Sequence, residues 1–252
     1  MSFSAEWLTL RAPADAAARD GALVRRLTRW AAERPGLTVS DIGAGSGATL
    51  RALHGALPGA TWRLIDRDEA LLALAAQSAA DLGAVARPFS LDLAQDPAAA
   101  VREGTALVTA SAFFDLASAE WIDAFAAEAA RAGAAVYAAL NYDGRETWLP
   151  PHPQDAAILS AFLSDMRRDK GLGPALGADA GAHLAERLRA LGYRVAVADS
   201  PWRLSSRSDA ALIAALADGI AAATAAPEEW RAARRAADSA LIGHIDILAL
   251  PG

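Results

Sequence analysis

The sequence predicts an α/β protein built on a doubly wound, mostly parallel sheet with helices on both faces. Three observations predict it. Short apolar runs ending in small polar or acidic residues alternate with helical patterns of ten residues or more, the rhythm of βαβ units. The first of these runs leads straight into a glycine turn and a helix. The chain has 252 residues, 54% of them hydrophobic, enough for one large domain with a sizeable core.

The glycine turn organises the rest. Leu37 to Ile42 reads as a buried strand. Gly43, Gly45 and Gly47 follow at alternating positions, and Leu50, Leu53 and Leu57 then recur at helical spacing. Glycine is needed where the backbone turns at positive φ or lets a ligand approach. A helix starting just beyond points its free N–H groups at whatever binds there. Gly43, Gly45 and Ala48 satisfy the dinucleotide form G-x-G-x-x-A. A glycine-rich turn with no ligand is also compatible with these residues alone.

Composition removes several classes of function. A net charge of -6 counts against a nucleic-acid partner. There is no cysteine, so disulfides, thiolate metal sites and cysteine nucleophiles are excluded. The four histidines are scattered, no carboxylate–histidine cluster has ligand spacing, and no metal is expected. No apolar run approaches the roughly 20 residues of a membrane span. The N-terminus lacks the charged-then-apolar order of a signal peptide. A cytoplasmic protein with no membrane partner is expected, as a monomer or homodimer.

In chain order, Pro13 to Arg34 reads as one helix with Leu23, Leu27 and Trp30 as its stripe, ended by Pro35 and Gly36. Trp7 to Arg11 precede it, with Asp15 and Arg19 just inside. The second strand, Ala60 to Asp66, ends in an acid about twenty residues past the turn, where a carboxylate accepts hydrogen bonds from ribose hydroxyls. Asp66 also suits a helix N-cap, because a helix opens at Arg67. Ala84 to Leu91 is the third strand, with Asp92 and Leu93 at its end. Asp96-Pro97 opens a short helix.

The fourth strand, Ala106 to Ser111, leads to Phe113, Phe114 and Asp115, after which Ser118 caps a helix. The end of a fourth parallel strand sits at the switch point where ligands collect. Gly133 to Leu140 is the fifth strand, ending near Tyr142. Residues 143–178 then break the rhythm with a proline-rich loop, a helix from Gln154 to Arg168 and a glycine-rich loop. We read this insertion as a substrate lid. A helix from Ala180 to Leu191 and a sixth strand, Tyr193 to Ala198, follow. Ser200 to Leu204 is a loop, two helices cover about 208–223 and 227–240, and Gly243 to Leu250 is a last strand expected to be antiparallel. There is no repeat and no linker, so residues 1–252 form one domain with an N-terminal helical cap, 1–35.

Taken together these motifs resemble the class I S-adenosylmethionine (SAM)-dependent methyltransferases, over most of the chain. The resemblance rests on Asp41-Ile42-Gly43-Ala44-Gly45-Ser46-Gly47, an acid two residues before G-x-G-x-G, and on Asp66, Asp92, the fourth-strand segment and the closing hairpin. It implies a Rossmann-like seven-stranded sheet of order 3-2-1-4-5-7-6, with strand seven antiparallel. It implies SAM as cofactor and S-adenosylhomocysteine as product. Asp41, Gly43, Ala44, Gly45, Gly47, Asp66, Arg67, Asp92, Leu93, Ala110 and Arg19 would then bind cofactor, with an N-terminal segment over the cleft.

Thr109-Ala110-Ser111-Ala112 stands where amino-methylating nucleic-acid enzymes carry Asn/Asp-Pro-Pro-Tyr, so a small-molecule acceptor is expected. Asp115, Tyr142 and His152 are the candidates for orienting the acceptor or removing its proton, and Asp143, Trp148 and Lys170 for binding it. Two alternatives stay open: an NAD-dependent oxidoreductase, which lacks a Tyr-x-x-x-Lys pair here, and a SAM-binding protein without turnover.

Overall fold

A computed structural model describes residues 3–94, 96–102 and 104–252. Helix α1 (Ala5–Ala18) is capped by the Ser4 hydroxyl, and α2 (Gly21–Ala32) by the Asp20 carboxylate, which accepts from Leu23 N at 2.7 Å. The single helix expected over 13–34 is therefore two. Arg19 leaves the helical region, and the strong capping residue Asp20 restarts the chain in a new direction. Pro13 lies inside α1 instead of opening it.

The sheet begins with β1 (Thr38–Ile42), followed by α3 (Ala48–Leu53), β2 (Thr61–Asp66), α4 (Glu69–Asp81) and β3 (Val85–Ser90). It continues through β4 (Leu107–Ser111), α5 (Ala119–Ala132) and β5 (Ala135–Leu149). Helices α6 (Asp155–Met166) and α7 (Ala180–Ala190) precede β6 (Arg194–Asp199), β7 (Trp202–Ser205), α8 (Ser206–Thr224), α9 (Glu228–Arg235) and β8 (Ser239–Leu250). Strand order is β3-β2-β1-β4-β5-β8-β6, with β7 also paired to β8. The parallel half and the antiparallel last strand are as expected.

The corrections cluster beyond β5. The sheet has eight strands, because the segment read as the loop 200–204 pairs as β7 with the first half of β8. Strand β5 runs on to Leu149, so residues 143–149 of the expected lid are sheet, paired to β8 across two register shifts. The last strand starts at Ser239, and the helix before it stops at Arg235. Ala240 and Ile242 alternate inward there, a period-2 pattern that an alanine-rich stretch hides.

Two apolar layers cover the faces of the sheet. Trp62, Leu64, Tyr137 and Leu248 belong to one; Phe114, Phe125, Val136 and Ile247 belong to the other. A third cluster, with Trp148, Trp202, Ile213 and Trp230, lies under α6, α8 and α9 beside the β5–β8–β7 extension. The carboxyl ends of the parallel strands frame one cleft.

Candidate functional site

The cleft opens at the carboxyl ends of β1, β2, β3 and β4, the switch-point position in a doubly wound sheet. Its floor is the glycine turn. Gly43 has φ 59°, and a Cβ there would stand 2.5 Å from Phe113 Cδ2, so the turn and the aromatic wall fit only without a side chain. Gly45 has φ 51° and sits under Leu8 of α1. Gly47 serves packing: its Cα faces α4, where a Cβ would come 3.2 Å from Ala75 Cα. It does not line the cleft.

Three carboxylates edge the cleft. Asp66 accepts from Gly45 N at 2.8 Å and from Asp68 N at 3.0 Å. The cap of α4 is Asp68, not Asp66. Asp92 accepts from Ala94 N, which fixes the loop after β3. That loop is held from behind by Trp121, whose indole N–H donates to the Leu93 carbonyl at 2.7 Å. Asp15 comes from α1. Arg67, Ala44 and Leu93 also line the space, as does Lys170 from the far loop of the insertion. Phe113 forms cleft wall while Phe114 is core, packed edge-on and tilted against Trp121 and Phe125.

Helix α1 covers this cleft with Leu8, Arg11 and Asp15, and Phe3 lines it from just ahead of the helix. It is fastened to β7: Arg11 pairs with Asp15 through two hydrogen bonds of 2.9 and 3.1 Å, and Trp202 Nε1 donates to Asp15 at 3.0 Å. The Arg11 guanidinium also lies 4.9 Å from the Trp202 ring centre.

Two further residues lie just under the floor. Asp41 is fully buried. Its Oδ1 accepts from Thr109 Oγ1 at 2.7 Å, and its Oδ2 has no partner. Burial raises its carboxyl to about 7, against the opposing pull of Thr109, Thr49 and Arg19. Arg19 donates from Nη2 to Ser111 Oγ at 2.6 Å, and its buried Nη1 has no partner. The Ser111 hydroxyl also meets Thr49 at 2.9 Å. Unpaired buried polar atoms are costly and uncommon. Here a cation and a carboxylate each keep a free valence at one spot. Ala110 is buried in β4 and does not reach the cleft; its neighbours Ser111 and Ala112 do.

The acceptor-side candidates separate. Asp115 follows Phe113 at the β4 tip, next to the cleft wall, and burial raises its carboxyl despite the pull of Arg11 and Lys170. Tyr142 donates to Glu146 at 2.7 Å, and Trp148 Nε1 donates to the same carboxylate, so both face the third cluster and neither lines the cleft. Asp143 is tied to Arg145. His152 is not brought to the cleft. Its backbone caps onto Asp155, and its Nδ1 accepts from Gln154 N at 3.2 Å, near the α9 residues Trp230 and Arg234 that also hold Asp155. The reason is that β5 continues as strand past Asp143 and carries Pro150 to Pro153 away from the sheet's carboxyl edge.

Sequence reasoning gave Asp246 no role. Asp246, fully buried in β8, accepts from Asp20 N, Tyr137 Oη and Leu140 N, tying α2 to the sheet. Arg11 covers the cleft and its partner Asp15 anchors α1. His244 of β8 is buried. An acid inside an otherwise apolar strand (Ile245-Asp246-Ile247) was the available signal for Asp246.

Comparison with solved structures agrees on architecture. The Bacillus halodurans protein BH2331 matches with a TM-score of 0.55 and 17% identity, over 92% of this chain and all 100% of its own. A SAM-dependent methyltransferase from Thiobacillus denitrificans, solved with S-adenosylhomocysteine, gives 0.51 and 15%, over 99% of this chain and 100% of that one. One from Geobacter sulfurreducens, also with S-adenosylhomocysteine, gives 0.50 and 18% over 100% of both chains. The chain has the fold of class I methyltransferases. No protein-family model and no curated protein sequence matches it. Among the described residues, no helix is long and apolar enough to cross a membrane, and no group of three or more metal-ligating side chains converges.

Proposed function

We propose that this protein is a SAM-dependent methyltransferase acting on a small-molecule acceptor. The observation that carries the reading is the pair of free valences under the glycine turn. Arg19 Nη1 and Asp41 Oδ2 are buried, oppositely charged in kind, and unpartnered beside Ser111 and Thr49. An α-amino-acid end, with its carboxylate and ammonium, complements that pair. A pyrophosphate does not. The Gly45 amide that a dinucleotide phosphate needs is occupied by the Asp66 carboxylate at 2.8 Å, and two anions at one amide repel.

In this reading Asp66 takes the ribose hydroxyls, and Asp92 with the Leu93 backbone takes the adenine edge. Leu71, Leu91 and Leu93 supply the apolar walls. Bound SAM supplies a methyl group on a positively charged sulfur, already activated for transfer. The protein's own part is to align the acceptor and exclude water. Helix α1 serves the second task and the β4 tip the first.

Thermal unfolding in SAM, S-adenosylhomocysteine and NAD tests the reading. At a hundredfold excess over Kd a ligand adds about 2.7 kcal/mol, which for a chain of this size is a rise of roughly 5–10 °C. The sulfur nucleosides should give that rise and NAD should not. A rise with NAD alone would reverse the assignment to an oxidoreductase. Binding of both sulfur nucleosides with no methyl transfer to any acceptor tried would favour a binding protein.

A further inference from the structure

The loop between α6 and α7 brings the chain's one lysine to the cleft. The charges around it are matched in pairs. Arg167 pairs with Asp179, and Arg168 with Asp165. The Asp169 carboxylate accepts from Gly171 N at 2.7 Å. Lys170 is left over. It is half-buried, it lines the cleft, and it makes no hydrogen bond or ion pair among the described residues.

The backbone around Lys170 is tied on both sides. Ser118 N donates to the Leu172 carbonyl at 3.0 Å, and Leu176 N donates to the Ala117 carbonyl at 2.9 Å, which pins the loop to the segment after β4. On the other side Arg67, just past β2, packs against Gly171, where a Cβ would stand 3.3 Å from its Nη1. The loop thus spans the cleft between the ends of β2 and β4.

Resting on the methyltransferase reading, we propose that Lys170 is the specificity residue of the acceptor subsite, and that the acceptor joins an apolar body to a single carboxylate. The carboxylates of the cleft and Arg11 are already matched. Arg11 and Asp15 neutralise each other. Asp66 accepts from two backbone amides and Asp92 from Ala94 N, and both face adenosine in the SAM reading. Lys170 is the cation that the cofactor does not use. A charged group drawn out of water without a partner loses hydration. An acceptor carboxylate restores that loss with charge-assisted hydrogen bonds.

The walls and the lone cation choose the rest. Phe113, Leu116 and Leu172 line the cleft, half-buried and apolar, and the last two flank the pinned backbone. They favour an apolar ligand body. One ammonium balances a monoanion. A phosphate monoester brings nearly two charges and suits several converging donors. A cationic acceptor would be repelled by Lys170.

Fluorine NMR on the protein saturated with S-adenosylhomocysteine tests this with 4-fluorobenzoate, 4-fluorobenzamide, 4-fluorobenzylamine and 4-fluorophenyl phosphate. The benzoate should bind saturably and roughly tenfold more tightly than each of the others. Lys170→Gln should bring the benzoate down to the level of the amide. S-adenosylhomocysteine affinity of that variant should stay within about twofold of wild type, which also shows that it folds. No benzoate binding to the wild type, any other probe bound as tightly as benzoate, or wild-type benzoate affinity in Lys170→Gln overturns the proposal. A larger loss of S-adenosylhomocysteine affinity in Lys170→Gln also overturns it, by assigning the lysine to the cofactor. Failure of the wild type to bind S-adenosylhomocysteine overturns the methyltransferase reading itself, and this subsite with it.

Discussion

Arg19 donates a 2.6 Å hydrogen bond to the Ser111 hydroxyl, joining the α1–α2 junction to the tip of β4 across 92 positions of sequence. The bond aims one guanidinium nitrogen at the strand end and leaves the other free under the glycine turn. A charge-assisted hydrogen bond contributes about 1.5–3 kcal/mol. Arg19→Ala should therefore weaken S-adenosylhomocysteine binding roughly 10- to 150-fold by calorimetry. An unchanged affinity would mean that Arg19 only ties α1 to the sheet.

Asp41 makes ligand-free stability depend on pH. Its folded pKa of about 7 exceeds the ordinary value of 3.8, so between those values the folded state holds the extra proton. The carboxyl therefore lowers stability as pH rises from about 4 to about 7, by an amount on the order of 4 kcal/mol at most, and the loss is complete above 7. Asp41→Asn should flatten that fall. Urea midpoints of the two proteins at pH 5 and pH 8 check it: the wild type should lose more between the two pH values than the variant. Parallel losses would assign the pH dependence to other groups.

The glycine turn permits a matched pair of substitutions. Gly43 and Gly59 both have positive φ, 59° and 73°, but a Cβ at Gly43 meets Phe113 at 2.5 Å while one at Gly59 meets nothing within 4 Å. Both alanine variants carry backbone strain of about 1–3 kcal/mol. Gly43→Ala should be the less stable of the two by chemical denaturation, because it alone must also displace the Phe113 ring. Equal destabilisation would show that the ring yields freely.

Asp246→Ala strands three donors: Asp20 N, Tyr137 Oη and Leu140 N. The burial of this site and its three bonds put the cost at roughly 3–5 kcal/mol, measured as a shift in urea midpoint at unchanged slope. A cost near that of a surface mutation would remove Asp246 as the tie between α2 and the sheet.

The parallel half of the fold was legible in the sequence because each strand there is short, continuous and punctuated. Gly43 to Gly47, Asp66 and Asp92 mark strand ends by residue type alone, and the family resemblance adds nine expected cofactor positions to Asp66 and Asp92. Of these, Gly43, Ala44, Gly45, Arg67 and Leu93 line the cleft. Gly47 has its own reason for being glycine, the contact with Ala75. The antiparallel half was harder to read. Strand β7 has four residues and borrows its pairing from β8. Strand β5 runs through Asp143-Gly144-Arg145, a turn-like sequence that β8 holds extended. Long-range pairing overrode local preference in both places. The same continuation of β5 holds His152 away from the cleft.

The most direct measurement compares S-adenosylhomocysteine with 5′-methylthioadenosine, which has the same adenosine and sulfur but no amino-acid end, by calorimetric titration into the wild type and Arg19→Ala. If Arg19 and Asp41 grip that end, the wild type should bind S-adenosylhomocysteine at least 100-fold more tightly, and the gap should shrink to about tenfold or less in Arg19→Ala. Equal affinities for the two compounds in the wild type would contradict the account.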